Sequence, residues 1–424
     1  MKAKALSMAL AVTGAVALSA SALEVQSVTA RQRWPWNGLV DVDLQLSGTE
    51  AGAEYRVSLS ADLPDREEPV ALSSLVSEPI VRGDGTHRLV WNADADLPGY
   101  RANNVTIRAN VETYAAGQPV YLVIDLSGGK DAVVWPHRYT TQEPDLSSDV
   151  CRTTELWLKR CPAGTFTMGF LGDGVPVARY YPPHKVKLTK AFYLGVFETT
   201  QEQYFRMTGE WPSYFTGEAY RATRPVERVC FKDLFNSWDG WYAGKTINPG
   251  ALLLTLRAKT GFSTLNLPTE AQWEYACRGG STGEYYYPEI KESTLRNYGR
   301  NSTLVPISGV GPETTPDVGG TAKVGSYQAN PWGFYDMYGN VMELCGDGMP
   351  YAEPSVLPDW TWFTDDIVDP RGSPEEKYID YVNARVCRGG AYDCPGWWMP
   401  QYRYPQSYSA TSASIGIRLC VTCE

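Results

Sequence analysis

The sequence predicts two domains: an all-β sandwich of immunoglobulin or fibronectin type, then an irregular α+β domain. Three observations carry this. Residues 23–127 are filled by short runs of strand period, broken by turn residues, with no helical stretch among them. All nine cysteines fall from Cys151 onward, so the two halves are built differently. Beyond Cys151, two clearly signed helix starts give way to long loops rich in Gly, Pro, Asn and Tyr.

A chain of 424 residues with 43% hydrophobic and 12% aromatic content can pack more than one core and is not disordered. Residues 1–22 read as a secretory signal peptide. Lys2 and Lys4 precede the apolar run Ala5–Leu18, and Ala20-Ser21-Ala22 supplies a small-residue cleavage site. The mature protein is therefore expected outside the cytoplasm, secreted or periplasmic. Loss of Lys2 and Lys4 would take the formal charge from −10 to −12. That acidity, without a basic cluster, argues against nucleic-acid binding. No later apolar run reaches bilayer length, so no membrane span is expected in the mature chain. In an oxidising compartment most of the cysteines should pair, and an odd number leaves at least one over.

In chain order, strands are expected at Val40–Leu46, Tyr55–Leu59, Arg88–Trp91, Val105–Val111 and Val120–Leu126. Ser47-Gly48, Gly83-Asp84-Gly85 and Gly117-Gln118-Pro119 supply turns between them. Trp34-Pro35-Trp36 could be an exposed aromatic ligand site or a plug at one end of the sandwich, and packing is the expectation. Residues 128–150, with Gly128-Gly129, Pro136 and Pro144, read as a linker. The second domain, 151–424, opens with two short strands around Pro162-Ala163-Gly164 and a further strand over Val186–Leu194. Thr200 with Gln203, and Thr269 with Gln272, form capping boxes that satisfy free helix amides reciprocally. Gly209 and Gly279-Gly280 close these helices. A third helix is expected over Ala251–Lys259, ended by Gly261. Later strands are expected near Lys323–Ser326, Ala384–Arg388 and Gly416–Val421. So much irregular backbone calls for cross-links or bound ions.

Seven segments of the second domain then occur in a recognisable order. They are Pro162-Ala-Gly-Thr-Phe-Thr-Met-Gly169, Glu198-Thr-Thr-Gln-Glu-Gln-Tyr204, and Leu267-Pro-Thr-Glu-Ala-Gln-Trp-Glu-Tyr-Ala-Cys-Arg-Gly-Gly280. Asn330-Pro-Trp-Gly-Phe-Tyr-Asp-Met337, Gly339-Asn-Val-Met-Glu343, Arg388-Gly-Gly-Ala391 and Gly416-Ile-Arg418 follow. Together, from Glu155 to Cys420, they resemble the formylglycine-generating enzymes, also called sulfatase-modifying factors. The resemblance implies an irregular fold of the C-type-lectin-like kind, and the family includes secreted proteins with no assigned chemistry.

Calcium takes six to eight hard oxygens from carboxylates and loop carbonyls. Asp336-Met-Tyr-Gly-Asn-Val-Met-Glu343 places carboxylates at both ends of a turn that Gly339 permits. By resemblance, Asp336 and Glu343 would be side-chain ligands, with Gly339 and Val341 giving carbonyls. A second calcium site would fall near Asn297 and Tyr298, completed by Pro316–Gly319. The other reading is an Asx-type turn with Glu343 in a salt bridge.

The family's enzymes use two cysteines that bind copper(I), five residues apart, to oxidise a sulfatase cysteine with dioxygen. Here Cys394 matches the first position and Met399 stands at the second, with no cysteine from Pro395 to Leu419. Arg403 resembles the family's cleft arginine, and Ala391 replaces a serine. A thioether can ligate copper(I) but cannot perform thiol exchange. The alternative for Cys394 is a structural half-cystine with Cys387 or Cys277. Cys420 or Cys423 is expected to pair with Cys161 or Cys151, because the resemblance makes the first and last strands neighbours. His87, His137 and His184 are too dispersed for a three-histidine site. The sequence thus points to a secreted, calcium-stabilised, non-catalytic binding or structural module with a protein or glycan ligand. Its aromatic loops, Trp360–Phe363 and Trp397–Tyr404, could stack on either. The alternative is a copper-dependent oxidase forming formylglycine or making a related modification.

Overall fold

Strict alternation builds the first sheets. Tyr55, Val57, Leu59 and Ala61 are all buried, while the residues between them are partly or fully exposed. The computed structural model describes residues 23–115, 118–169, 183–236, 247, 249–287, 298–300, 320–348, 367–371, 384–394 and 399–423. They divide into two units, one running to Val123 with His137–Glu143, the other holding Ile124–Pro136 and Pro144 onward.

In the first unit the order is β1 (Glu24–Gln32), β2 (Leu39–Ser47), β3 (Tyr55–Asp62), β4 (Val70–Leu72), β5 (Ile80–Val81) and β6 (Gly85–Asn92). A four-residue helix α1 (Ala93–Asp96) and β7 (Thr106–Thr113) follow. Among the described residues this unit is all-β apart from α1. One sheet runs β1-β2-β6, and a second runs β4-β3-β5 with β7 also paired to β3. Val42, Leu44 and Leu46 give β2 its buried side. β1 escaped sequence reading because only Val28 in it is fully buried, as suits a sheet edge. The aromatic pair departs from expectation. Trp34 is 82% and Trp36 44% exposed, so neither plugs a core.

Residues 128–150, read as a linker, hold more structure than their composition suggests. After β8 (Tyr121–Asp125), Trp135 is fully buried, its backbone N–H bonded to Lys259 O. β9 (His137–Thr140) follows, and α2 (Val150–Thr153) opens the remainder of the second unit.

Next come β10 (Glu155–Cys161), β11 (Gly164–Met168), β12 (His184–Leu188), β13 (Phe192–Gly195) and α3 (Gln201–Thr208). α4 (Phe231–Phe235), α5 (Leu252–Thr260), β14 (Leu265–Asn266) and α6 (Glu270–Arg278) continue the chain. Short strands follow at β15 (Gly299–Arg300), β16 (Tyr338–Gly339), β17 (Met342–Gly348) and β18 (Ile367–Val368). The last are β19 (Ala384–Arg388), β20 (Tyr404–Ser407), β21 (Ile415–Gly416) and β22 (Cys420–Thr422). One sheet has the order β14-β22-β13-β10 within it, and another runs β20-β19-β17-β21.

Both capping boxes form as read. The Thr200 and Thr269 hydroxyls accept from the Gln203 and Gln272 backbone, and each glutamine side chain returns the bond. Gly209, Gly261 and Gly279 end their helices at positive φ. Elsewhere the boundaries shift. Val186–Leu194 is two strands, because the Thr189 N–H turns to Asp369 instead of a ladder partner. Lys323–Ser326 is a turn, not a strand. Gly416–Val421 breaks between β21 and β22, and the break lets Arg418 turn inward.

No disulfide joins any of the nine cysteines among the described residues. For the expected pairing of Cys161 with Cys420 or Cys423, sheet register gives the reason. β13 lies between β10 and β22, with Phe192 opposite Cys161 on one side and Thr422 on the other. The first and last strands are thus two strand spacings apart, about 9–10 Å, beyond the reach of a disulfide at about 7 Å.

Candidate functional site

The stretch read as a metal loop is half turn and half strand. Asp336 and Asn340 both adopt φ of 56°, with Gly339 at 75°, a run that Asp, Asn and Gly tolerate best. β17 begins two residues after Asn340. It lies parallel to β21 with Glu343 opposite Gly416, which puts Arg418 within reach.

The loop is shaped from below by Glu198, two residues before the α3 cap. Its carboxylate accepts from Val341 N (3.0 Å) and Asn340 Nδ2 (2.6 Å). Asp336 Oδ2 accepts from Gly325 N at 2.6 Å, while its buried Oδ1 has no hydrogen-bond partner among the described residues. Glu343 is fully engaged. Arg418 donates to it through Nη2 (2.6 Å) and Nε (2.8 Å), and Trp273 Nε1 donates at 2.7 Å. Arg418 also donates to the Gly195 and Tyr335 carbonyls, both at 2.9 Å. Gly195 is required at this spot, since a Cβ there would stand 3.0 Å from Arg418 Cγ and 2.9 Å from Phe197 O.

Three buried carboxylates therefore act on one guanidinium, Glu343 by direct bonds and Glu198 and Asp336 through their charges. Burial, then the charges of Asp336 and Glu343, drive Glu198 well above the usual carboxylate range. Burial pushes Asp336 up to about 6. Burial works against the Arg418 charge, but Glu343, Glu198 and Asp336 hold its pKa above the ordinary value. A calcium ion between Asp336 and Glu343 was the expectation. The Asp336 Oδ1 lone pairs suit one, but both Glu343 oxygens already face Arg418 and Trp273. As placed, the pair does not fit the ion. The Gly339 and Val341 N–H groups donate to Gly389 O and Glu198 Oε1, bonds that involve neither residue's carbonyl oxygen, the expected contact. Asn297 and Pro316–Gly319 lie outside the described residues. Tyr298 is described and stacks on Tyr287 at 4.7 Å.

A second ionic group sits beneath α6, whose nine residues are all buried. Arg403 clamps Glu270 through Nε (2.5 Å) and Nη2 (2.9 Å). Arg388 pairs with Glu270 at 2.9 Å and also with Glu274. Arg278 returns to Glu274 from one turn away at 2.8 Å. Burial pushes Glu274 up, yet Arg278 and Arg388 together hold it below its ordinary value. Asp347 accepts the Glu270 N–H at 2.6 Å and is pushed up to about 7 by burial and the Glu270 charge. Arg403, expected in a cleft, is thus in the protein interior as a structural partner of α6.

The thiol region is equally committed. Cys394 is half-buried, with its Sγ 3.4 Å from Asp393 Oδ1; burial, and then the Asp393 charge, push the thiol up to about 12. Asp393 Oδ2 accepts from Ser414 Oγ at 2.6 Å. Copper(I) would take two thiolates. One protonated thiol and the neutral thioether of Met399 do not fit it. Residues 395–398, including Trp397 and Trp398, and the Trp360–Phe363 loop lie outside the described residues.

The family model for the sulfatase-modifying factor enzyme 1-like domain (FGE-sulfatase) matches residues 151–423. The chain belongs to this family. Chaperone protein LppX of Paenibacillus barcinonensis is 30% identical over 227 residues, 48% of this chain and 76% of that protein. The formylglycine-generating enzyme of Thermomonospora curvata is 34% identical over 142 residues, spanning 32% of this chain but only 41% of the enzyme. That of Streptomyces coelicolor is 34% identical over 161 residues, 36% of this chain and 45% of the enzyme. Among solved structures, Treponema denticola variable protein 1 is similar at 23% identity and a TM-score of 0.46, covering 63% of this chain and 95% of that one. PvdO from Pseudomonas aeruginosa gives 22% and 0.45, covering 62% and 94%. None of these points to nucleic-acid binding. Among the described residues no helix is long and apolar enough to cross a membrane.

Sequence reading assigned no partner to Glu198, Glu270, Glu274 or Arg388, which the structure joins in buried hydrogen bonds and ion pairs. Glu198 carried a signal: a carboxylate after the run Tyr193-Leu-Gly-Val-Phe197 has to find a partner if the run is buried. Glu274 and Arg278 stand at i, i+4, the spacing of a helical ion pair.

Proposed function

We propose that this chain is a secreted, non-catalytic member of the family, a binding module whose second unit is a scaffold locked by arginine–carboxylate pairs. The carrying observation is the state of the family's reactive positions. Cys394 is held as a thiol beside Asp393, Met399 stands where a second cysteine would, and Arg403 is clamped on Glu270. Such a set offers neither a thiolate pair nor a free cleft cation. In this reading Arg418, not a calcium ion, supplies the positive charge at Glu343. Secretion rests on the pattern of residues 1–22. The name of the LppX relative, a chaperone, favours a role in binding over oxidation. The first unit is taken as an immunoglobulin- or fibronectin-type sandwich, supported by its two antiparallel sheets, and the second as a C-type-lectin-like fold. Its ligand is a protein or glycan.

The test is direct. Protein incubated with copper(I) and dioxygen is given a Cys-x-Pro-x-Arg peptide, and the peptide mass is followed. No mass change is expected. Conversion of the cysteine to formylglycine would overturn the reading.

A further inference from the structure

The first unit contains a cavity of about 460 Å³ that nothing in the second unit's family accounts for. Its volume lies within the range of about 300–1,000 Å³ typical of small-ligand sites. Val40, Trp91 and Ile107 line its apolar part, and all three are buried core residues of the two sheets. Trp36 forms part of the wall while remaining 44% exposed.

The wall is built rather than incidental. Gly38 has φ of 79°, and the Asp94 carboxylate sits where a side chain would be, 2.7 Å from an ideal Cβ. Gly38 O accepts from Ala93 N at 2.7 Å, and Asn37 Oδ1 accepts from Leu39 N at 3.2 Å. These contacts hold the Trp36 loop against the start of α1. The polar lining is the second observation. Asp94, Arg101 and Asn103 are exposed, and their side chains make no hydrogen bond among the described residues.

We propose that this pocket binds a short, neutral carbohydrate, with Trp36 stacking on a sugar ring. The lining chemistry selects that class. A carboxylate and a guanidinium of opposite sign disfavour a strongly charged ligand of either kind. A polyhydroxylated ring presents groups that both donate and accept, which an acid, an amide and a guanidinium can satisfy together. Its C–H face is apolar and suits an indole. The site goes beyond the non-catalytic reading of the second unit and stands whether or not that reading survives.

The test uses the full mature chain on a printed oligosaccharide array and in affinity gels containing soluble β-glucan or arabinoxylan. Any retained glycan is then titrated by calorimetry. Binding of at least one neutral glycan is expected. Trp36→Ala should weaken it by about tenfold or more, as for an aromatic side chain that the ligand covers, with an unchanged melting temperature. Trp34→Ala, which alters an 82% exposed ring outside the pocket lining, should bind as the parent. Arg101→Ala and Asn103→Ala, both at exposed positions, carry the test should Trp36→Ala fail to fold. Silence of the folded parent on every glycan, or parental affinity in the folded pocket variants, would overturn the proposal.

Discussion

Replacement of Arg418 by methionine is expected to destabilise the protein by about 4 kcal/mol in urea titration, the cost of breaking a buried ion pair from one side. The loss is more than one contact. Glu343 would keep only Trp273 as a donor, the Gly195 and Tyr335 carbonyls would lose theirs, and Glu198 and Asp336 would lose the neighbouring positive charge. Adding Glu343→Gln to Arg418→Met should recover part of the loss, because it removes the stranded charge while keeping an acceptor for Trp273. A single variant as stable as the parent would contradict the assignment of Arg418 as the cation of this cluster.

Asp347 and Asp336 should each make stability fall as pH rises between pH 5 and 8, the reverse of what salt-bridged carboxylates give. Asp347 has an ordinary value of 3.8 and is pushed up to about 7 in the folded chain. The folded state therefore binds more protons than the unfolded one between those values. Its penalty is absent below about pH 4, grows through pH 7 and is constant above, amounting to about 4 kcal/mol at most. Asp336, raised to about 6, adds a slope of the same sign. Glu274 works oppositely. Its pKa is held down, so its contribution is present above the unfolded value and lost only in acid, below the window considered. Asp347→Asn keeps an acceptor for the Glu270 N–H and removes the ionising group. It should stabilise the protein at pH 8, do little at pH 5, and flatten the decline between them. A parental pH profile in this variant would show that Asp347 ionises normally.

Sequence legibility in this chain followed the range of the interaction. The capping boxes at Thr200 and Thr269 were readable because each is closed within four residues. The clamp of Arg403 on Glu270 was not, since it joins positions 133 residues apart. β17 stayed hidden because six of its seven residues are buried, leaving no alternation to read. Glu343 was recognised from its motif, yet its partner could be chosen only once β21 and the break after it had placed Arg418. Trp34 and Trp36 erred the other way. Aromatic residues are usually packed, and only structure could reveal a loop pinned by Gly38 that holds them at the surface.

The central claim is that an internal guanidinium, not a bound ion, neutralises the Asp336–Glu343 segment. Scanning calorimetry of the parent protein at neutral pH, with excess chelator and then with excess calcium, tests it most directly. A ligand that binds only the folded state raises its melting temperature. The account predicts the same temperature in both conditions. A fall of several degrees on chelation, restored by calcium, would contradict it.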